Sequence, residues 1–452
     1  MAEDPPPANG TRAAAATRFL VYVAAICVVA VGAALFATAF RRATELVFRH
    51  AYGAPSVVAA IATLPLILRV IVPAIGGFVA GGLASRAKGG HGVGDVMEAV
   101  VVGRGFLSMI ATLWKAAGTY AALIAGGSVG REGPLIQFGA SLAGVATRWL
   151  DLGQERGRAL ILAGTAAGFA AAYNTPFAAI LFCVEVVAGL VALDALLPAF
   201  VATPIATLVT RAAVGGGPIY GERTFAIVSN SELIAYLGLG LAAGFIGVGF
   251  MWLLRAAERG FERLDRRRPV RAAMGGVVVG LLALQLPEVS GNGYEAINLM
   301  LGGGASLAML LLLMPAKAAA TAASVGSGAP GGVFTPTLTL GACLGGALGV
   351  ALAAIAPAHV GPVGAYMLVG MAATCAATTH APMTAAVMVF ELTDDYAIVL
   401  PLLLATGAAT TVARWLRPDS IYDSELRRRG FGWEVTLEGR AFHQVPDAEP
   451  HG

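Results

Sequence analysis

The chain has 452 residues, 57% of them apolar and only 13% charged, with a net charge of +3. Soluble domains carry roughly 25% charged residues, so this composition excludes an ordinary soluble protein. The clustered basic residues lack interleaved aromatics, which speaks against a nucleic-acid surface, and the four cysteines lack the paired spacing of a metal site or disulfide framework. No metal or cofactor is expected.

Residues 1–17, with Pro5, Pro6, Pro7 and an alanine run, read as a disordered leader. The uncharged stretch Phe19 to Phe40 then exceeds the ~20 residues that cross a bilayer. It is too long for a signal-peptide core and has no small-residue cleavage site behind it, so it stays as a helix. Further spans are expected around Leu233 to Leu254 and Thr337 to Ala356. The arginine-rich segments Arg148 to Arg158, Arg255 to Arg271 and Arg427 to Arg440 favour the cytoplasmic side. Residues 417–452 form a polar tail below the ~50 residues of an independent domain. Cys27, Cys183, Cys343 and Cys375 fall in apolar segments and read as buried thiols.

An internal repeat organises the span between. Gly164 to Glu185 aligns without a gap on Gly370 to Glu391, 206 positions later, with eight of 22 positions identical, among them Pro176 with Pro382 and Glu185 with Glu391. GSVGREG from Gly127 and GSGAPGG from Gly326 form a second pair at nearly the same shift. Two repeats of about 200 residues, each broken by glycine, are a transporter pattern that places the site where the repeats meet. The predicted repeats are 18–212 and 232–416.

Three glycine-rich breaks precede helix starts: Lys88 to Val100, Gly126 to Gly139 and Gly326 to Gly341. Non-helical backbone at membrane depth survives only where protein buries it or a cavity wets it. A helix amino terminus offers unpaired N–H groups and about half a positive charge, enough to hold an anion without the grip of a full cation. Glu132 stands within the second break, and a carboxylate at this depth marks an ion path or a proton relay. Ionised, it can occupy an anion seat; protonated, it can leave. The alternative is a pair with the neighbouring Arg131.

Gly130 to Pro134, GREGP, together with GSGAPGGVFTP from Gly326 to Pro336, resembles the two diagnostic signatures of the CLC family of chloride channels and H+/Cl− exchangers. Lys115, AAYNTPFAAILFCVE from Ala171, THAPMTAAVMVFELT from Thr379 and SIYDSEL from Ser420 extend the resemblance over about 18–426. It implies an all-α polytopic fold of inverted repeats of broken, tilted helices. It also implies a homodimer in the inner membrane with one pathway per subunit and both termini cytoplasmic. The long apolar segments late in each repeat are candidates for the subunit contact. Glu132 matches the family's gating glutamate. Val333 and Phe334 match residues whose N–H groups hold the central anion, and Tyr422 matches a tyrosine whose hydroxyl reaches it. On residue chemistry alone, Tyr422 also fits an interfacial aromatic anchor. Gly130, Arg131, Gly133, Pro134, Gly332 and Pro336 belong to the signatures.

Two positions depart from the family pattern. Gly90 to Gly94 stands where GSGIP is usual, so His91 replaces the serine that contacts the anion beside Gly92. Its imidazole can donate a hydrogen bond, become cationic at low pH, or turn away and leave the backbone to bind. Val186 replaces the second glutamate of proton-coupled members, which removes the usual relay and favours passive, channel-like transport. Proton-coupled exchange is the alternative, with Glu185 or a water chain in the missing acid's place.

Three rivals are weaker. G-x-S-x-G at Gly126 to Gly130 suggests a nucleophile elbow but has no recognisable histidine partner among the deep candidates, His91 and His380. A cation-coupled carrier would need clustered acids, whereas Glu132, Glu185 and Glu391 are isolated. Pro134 in place of the threonine of the fluoride-exporting branch favours chloride.

Overall fold

The computed structural model describes residues 9–87, 92–101, 107–189, 193–217, 219–221, 228–229, 231–436 and 439–444. The first half comprises α1 (Asn9–Ala51), α2 (Val57–Thr63), α3 (Leu66–Ser85), α4 (Val93–Val101), α5 (Met109–Ile124), α6 (Glu132–Trp149) and α7 (Gly153–Tyr173). Then come α8 (Pro176–Phe182), continued by a π-helical turn at Cys183–Ala188, and α9 (Leu193–Val214). The second half repeats the series with α10 (Glu232–Leu264), α11 (Arg268–Ala283), α12 (Tyr294–Leu301), α13 (Leu307–Gly326), α14 (Phe334–Ile355), α15 (Val363–Thr379), α16 (Pro382–Thr393) and α17 (Val399–Leu416). The tail forms α18 (Ile421–Arg428) and an antiparallel pair, β1 (Phe431–Thr436) and β2 (Gly439–Gln444), with Phe431 opposite Gln444. Among the described residues, seven helical stretches are long and apolar enough to cross a membrane.

Local sequence explains where the helices start and stop. Ser56, Ser108 and Ser306 cap α2, α5 and α13, each hydroxyl accepting the amide of the third helical residue. Pro176 and Pro382 open α8 and α16, where a missing N–H costs nothing. The preceding helices, α7 and α15, end in the left-handed residues Asn174 (φ 60°) and His380 (φ 57°). The repeat read from Gly164 and Gly370 is thus one helix-break-helix unit used twice.

α7 and α15 are buried on all sides from Ala159 and Ala365 to their ends, as helices apolar around their circumference should be. Close backbone approach holds them. A Cβ on Gly139 would lie 2.0 Å from the Gly164 carbonyl oxygen, and one on Gly341 would lie 2.2 Å from that of Gly370. The α6–α7 and α14–α15 contacts are therefore glycine-on-glycine, the packing of membrane helices that lack a hydrophobic drive to associate.

One expectation about the ends changes. The helix begins at Asn9, inside the segment 1–17 expected to be disordered, because Ala13 to Ala16 have the highest helix propensity and extend α1 outward. The polar tail, too short for an independent domain, supplies α18, whose start is fixed by a capping box between Ser420 and Asp423. This order brings Tyr422 back to the core.

Candidate functional site

The site forms where the two halves touch. Gly130 and Gly332 pair as an antiparallel bridge, the amide of each donating to the carbonyl of the other at 2.7 and 2.8 Å. The bridge sets the first residues of α6 and α14, Glu132 and Phe334, beside each other across 202 positions of sequence. Pro134 and Pro336 occupy the first turns of these helices, where proline breaks no hydrogen bond.

Glu132 is 2% exposed and its side chain crosses to the amino terminus of α14. Oε1 accepts the Phe334 amide at 2.9 Å and the Thr335 amide at 3.4 Å, and Oε2 accepts the Thr335 hydroxyl at 3.1 Å. The carboxylate thus takes the place that a helix dipole and free amides reserve for an anion. Only glycine fits around it, since a Cβ at Gly130 or Gly332 would come within 2.2 and 2.1 Å of its oxygens. Arg131 turns the other way, its guanidinium 5.3 Å from the centre of the Tyr294 ring. A Glu132–Arg131 pair is not formed.

These neighbours line different cavities. Glu132 lines one cavity of about 180 Å³, the inner one in the orientation proposed below, together with Gly92, Lys115, Val333 and Tyr422. Arg131 lines a second cavity of about 430 Å³, with Arg41, Tyr294 and Glu295.

Tyr422 is 9% exposed, with its ring edge-on to Phe182 at 6.2 Å. It lies in the core rather than serving as an interfacial anchor. Gly92, with φ +67°, abuts Gly133, while His91 lies outside the described residues. Val333 precedes α14 and accepts the Thr337 hydroxyl through its carbonyl. The amides that grip the carboxylate belong to Phe334, which the sequence reading named as an anion donor, and Thr335. The sequence reading missed Thr335, whose hydroxyl further shares a 3.0 Å hydrogen bond with that of Tyr173. A threonine at the second position of a helix aimed at an anion was the available signal.

Below the seat, Lys115 is buried and paired with Asp95 at 2.5 Å. Asp95 also accepts from Gln137 and Arg429, each at 2.9 Å, tying α4 to α5, α6 and the segment after α18. Val186 is 2% exposed within the π-helical turn. Glu185 beside it accepts the Met383 and Thr384 amides at 3.1 and 2.7 Å and so caps α16. That engagement uses both of its carboxylate oxygens. The Ser128 hydroxyl is bonded to that of Thr321 at 2.9 Å, in the place a catalytic histidine would need.

The chain matches the family model described as voltage gated chloride channel over residues 74–414. It is 39% identical over 380 residues to a putative chloride channel protein ClcB-like of Ralstonia nicotianae, covering 82% of this chain and 88% of that one. It is 36% identical over 360 residues to the voltage-gated ClC-type chloride channel ClcB of Citrobacter koseri, covering 78% of this chain and 86% of that one. Among solved structures, it superposes on a slow cyanobacterial Cl−/H+ antiporter with a TM-score of 0.83 and 26% identity, covering 90% and 98% of the two chains. A CLC-type fluoride/proton antiporter shares the fold, with a TM-score of 0.72 at 24% identity over 89% and 97% of the chains.

Proposed function

Because this chain belongs to the voltage-gated chloride channel (CLC) family, we propose that it carries chloride or a similar small anion across a bacterial inner membrane, with Glu132 as the gate. The observation that supports this most directly is the Glu132 carboxylate on the Phe334 and Thr335 amides, lining one cavity while the adjoining Arg131 lines another. A carboxylate held there mimics and excludes the permeant anion. Protonation removes the charge that the helix terminus attracts, the side chain withdraws, and an anion replaces it. Tyr422 and Gly92 line the path below the seat, with His91 beside Gly92 in sequence.

Transport is passive in this reading, because the buried Val186 leaves the proton path without an internal acid. A second reading, proton-coupled exchange, is favoured by the structural likeness to a Cl−/H+ antiporter. The two are separated in proteoliposomes carrying a chloride gradient at fixed voltage: passive transport gives chloride flux alone, exchange drives protons uphill. Absence of chloride flux would overturn both.

The functional unit is proposed to be a homodimer with one pathway per chain, joined through exposed apolar residues late in each repeat, such as Phe200 and Leu403. Both termini are assigned to the cytoplasm. The arginine-rich segments from Arg255 and Arg427 support this, since the ion pair of Arg428 with Glu258 gathers them at one end of the inner cavity.

A further inference from the structure

The inner cavity carries a charged feature that the Glu132 seat does not use. Arg417, which ends α17, is 6% exposed and lines this cavity, and its Nε and Nη1 have no hydrogen-bond partner in the structure. Arg255 of α10 lines the same space. Among the described residues neither side chain forms a direct ion pair: Asp419 lies near both and Glu258 near Arg255, but each makes its direct pair with another arginine. Glu258 pairs with Arg428, Glu425 with Arg429 at 2.6 Å, and Asp419 with Arg427 at 3.2 Å. Lys115, deeper in, is neutralised by Asp95.

A buried guanidinium without a direct ion pair, such as Arg417, is costly, and an anion between it and the half-buried Arg255 offsets that cost. Guanidinium donors match the oxygens of phosphate-like anions, and such charge-assisted bonds are among the strongest in proteins. The moving anion is offered backbone amides instead, which release it easily. Two free guanidinium groups therefore suit an occupant that stays. Glu132, the carboxylate at the deep end, would repel a multiply charged anion and keep it from passing.

We propose that Arg417 and Arg255 form a regulatory site for an oxyanion of the phosphate class, which fills the inner cavity and slows transport. The proposal rests on the anion-transport reading above. The test is chloride efflux from vesicles of neutral phosphatidylcholine, at constant ionic strength balanced with gluconate, with and without millimolar inorganic phosphate on both sides. Phosphate is expected to slow efflux several-fold and saturably. Arg417→Gln and Arg255→Gln should each lose most of that inhibition while still passing chloride, and Arg417→Lys should keep part of it. Chloride efflux indifferent to phosphate in the unaltered protein would overturn the site and leave the transport reading intact. Absence of chloride efflux would overturn the transport reading. Titration calorimetry of the purified protein with phosphate then tests the site alone, with saturable heat lost in Arg417→Gln expected and no heat overturning it. Slowing by anionic phosphatidylglycerol without added phosphate, lost in the same variants, would reassign the site from a free anion to a lipid headgroup.

Discussion

Glu185 and Glu391, 206 positions apart, perform the same task for each other's half of the molecule. Glu185 accepts the Met383 and Thr384 amides of α16, and Glu391 accepts the Phe177 and Ala178 amides of α8 at 3.0 and 2.8 Å. Each carboxylate closes the helix that the other's repeat opens. Two of the three acids that sequence reading placed at membrane depth are thus structural caps.

Replacing Glu391 with alanine should lower stability by about 1–3 kcal/mol, the usual cost of stranding amides that bonded a charged acceptor. The midpoint of thermal unfolding in detergent measures this, and Glu185→Ala should behave alike. Unchanged midpoints would mean that the caps contribute nothing.

Glu132→Ala empties the seat on α14. Chloride efflux at neutral pH should rise to the level the unaltered protein reaches only on acidification. The rate should then be flat with pH, because the group whose protonation releases the seat is gone. A variant that still quickens as pH falls would remove Glu132 from the gate.

A methyl group on Gly332 would sit 2.1 Å from Oε1 of Glu132, too close for the carboxylate to stay. Gly332→Ala should therefore imitate Glu132→Ala in part, with faster efflux at neutral pH and a weakened response to acid. The backbone bridge to Gly130 does not involve the methyl and is expected to survive. Efflux slower than that of the unaltered protein would show that the loop, rather than the carboxylate, gives way.

Lys115→Met leaves Asp95 without its closest cation. Breaking a buried ion pair from one side typically costs about 3–5 kcal/mol, and the lower end is expected because Gln137 and Arg429 still hold Asp95. The double variant Lys115→Met, Asp95→Asn should recover part of the lost unfolding temperature. No recovery would argue that the lysine stem, not its charge, matters.

Val186 predicts that a chloride gradient moves no protons uphill in the unaltered protein. Proton uptake against its gradient, followed with an external pH electrode, would instead assign the chain to exchange and require another internal proton carrier.

Much of this site was legible because its parts are local. A glycine-rich break before a helix needs no partner to be recognised, and the resemblance carried by GREGP and GGVFTP named Glu132 and Phe334 directly. The repeat was legible because Pro176 and Pro382 restart helices at equivalent places. The roles of Glu185 and Thr335 were not, since each depends on a bond to a residue in the other half of the chain. Arg417 gave no signal at all: in sequence it is one more arginine after a span, and only folding buries it beside Arg255.

The sequence by itself determined that the chain lives in a membrane, that it is built twice, and which helix termini could hold an anion, because hydropathy, glycine breaks and proline positions act over a few turns of backbone. The tertiary structure alone decided which amides meet which carboxylate. The Gly130–Gly332 bridge brings Glu132 onto α14 across 202 positions, and hydrogen bonds, unlike hydropathy, are satisfied by whichever groups the packing brings within about 3 Å.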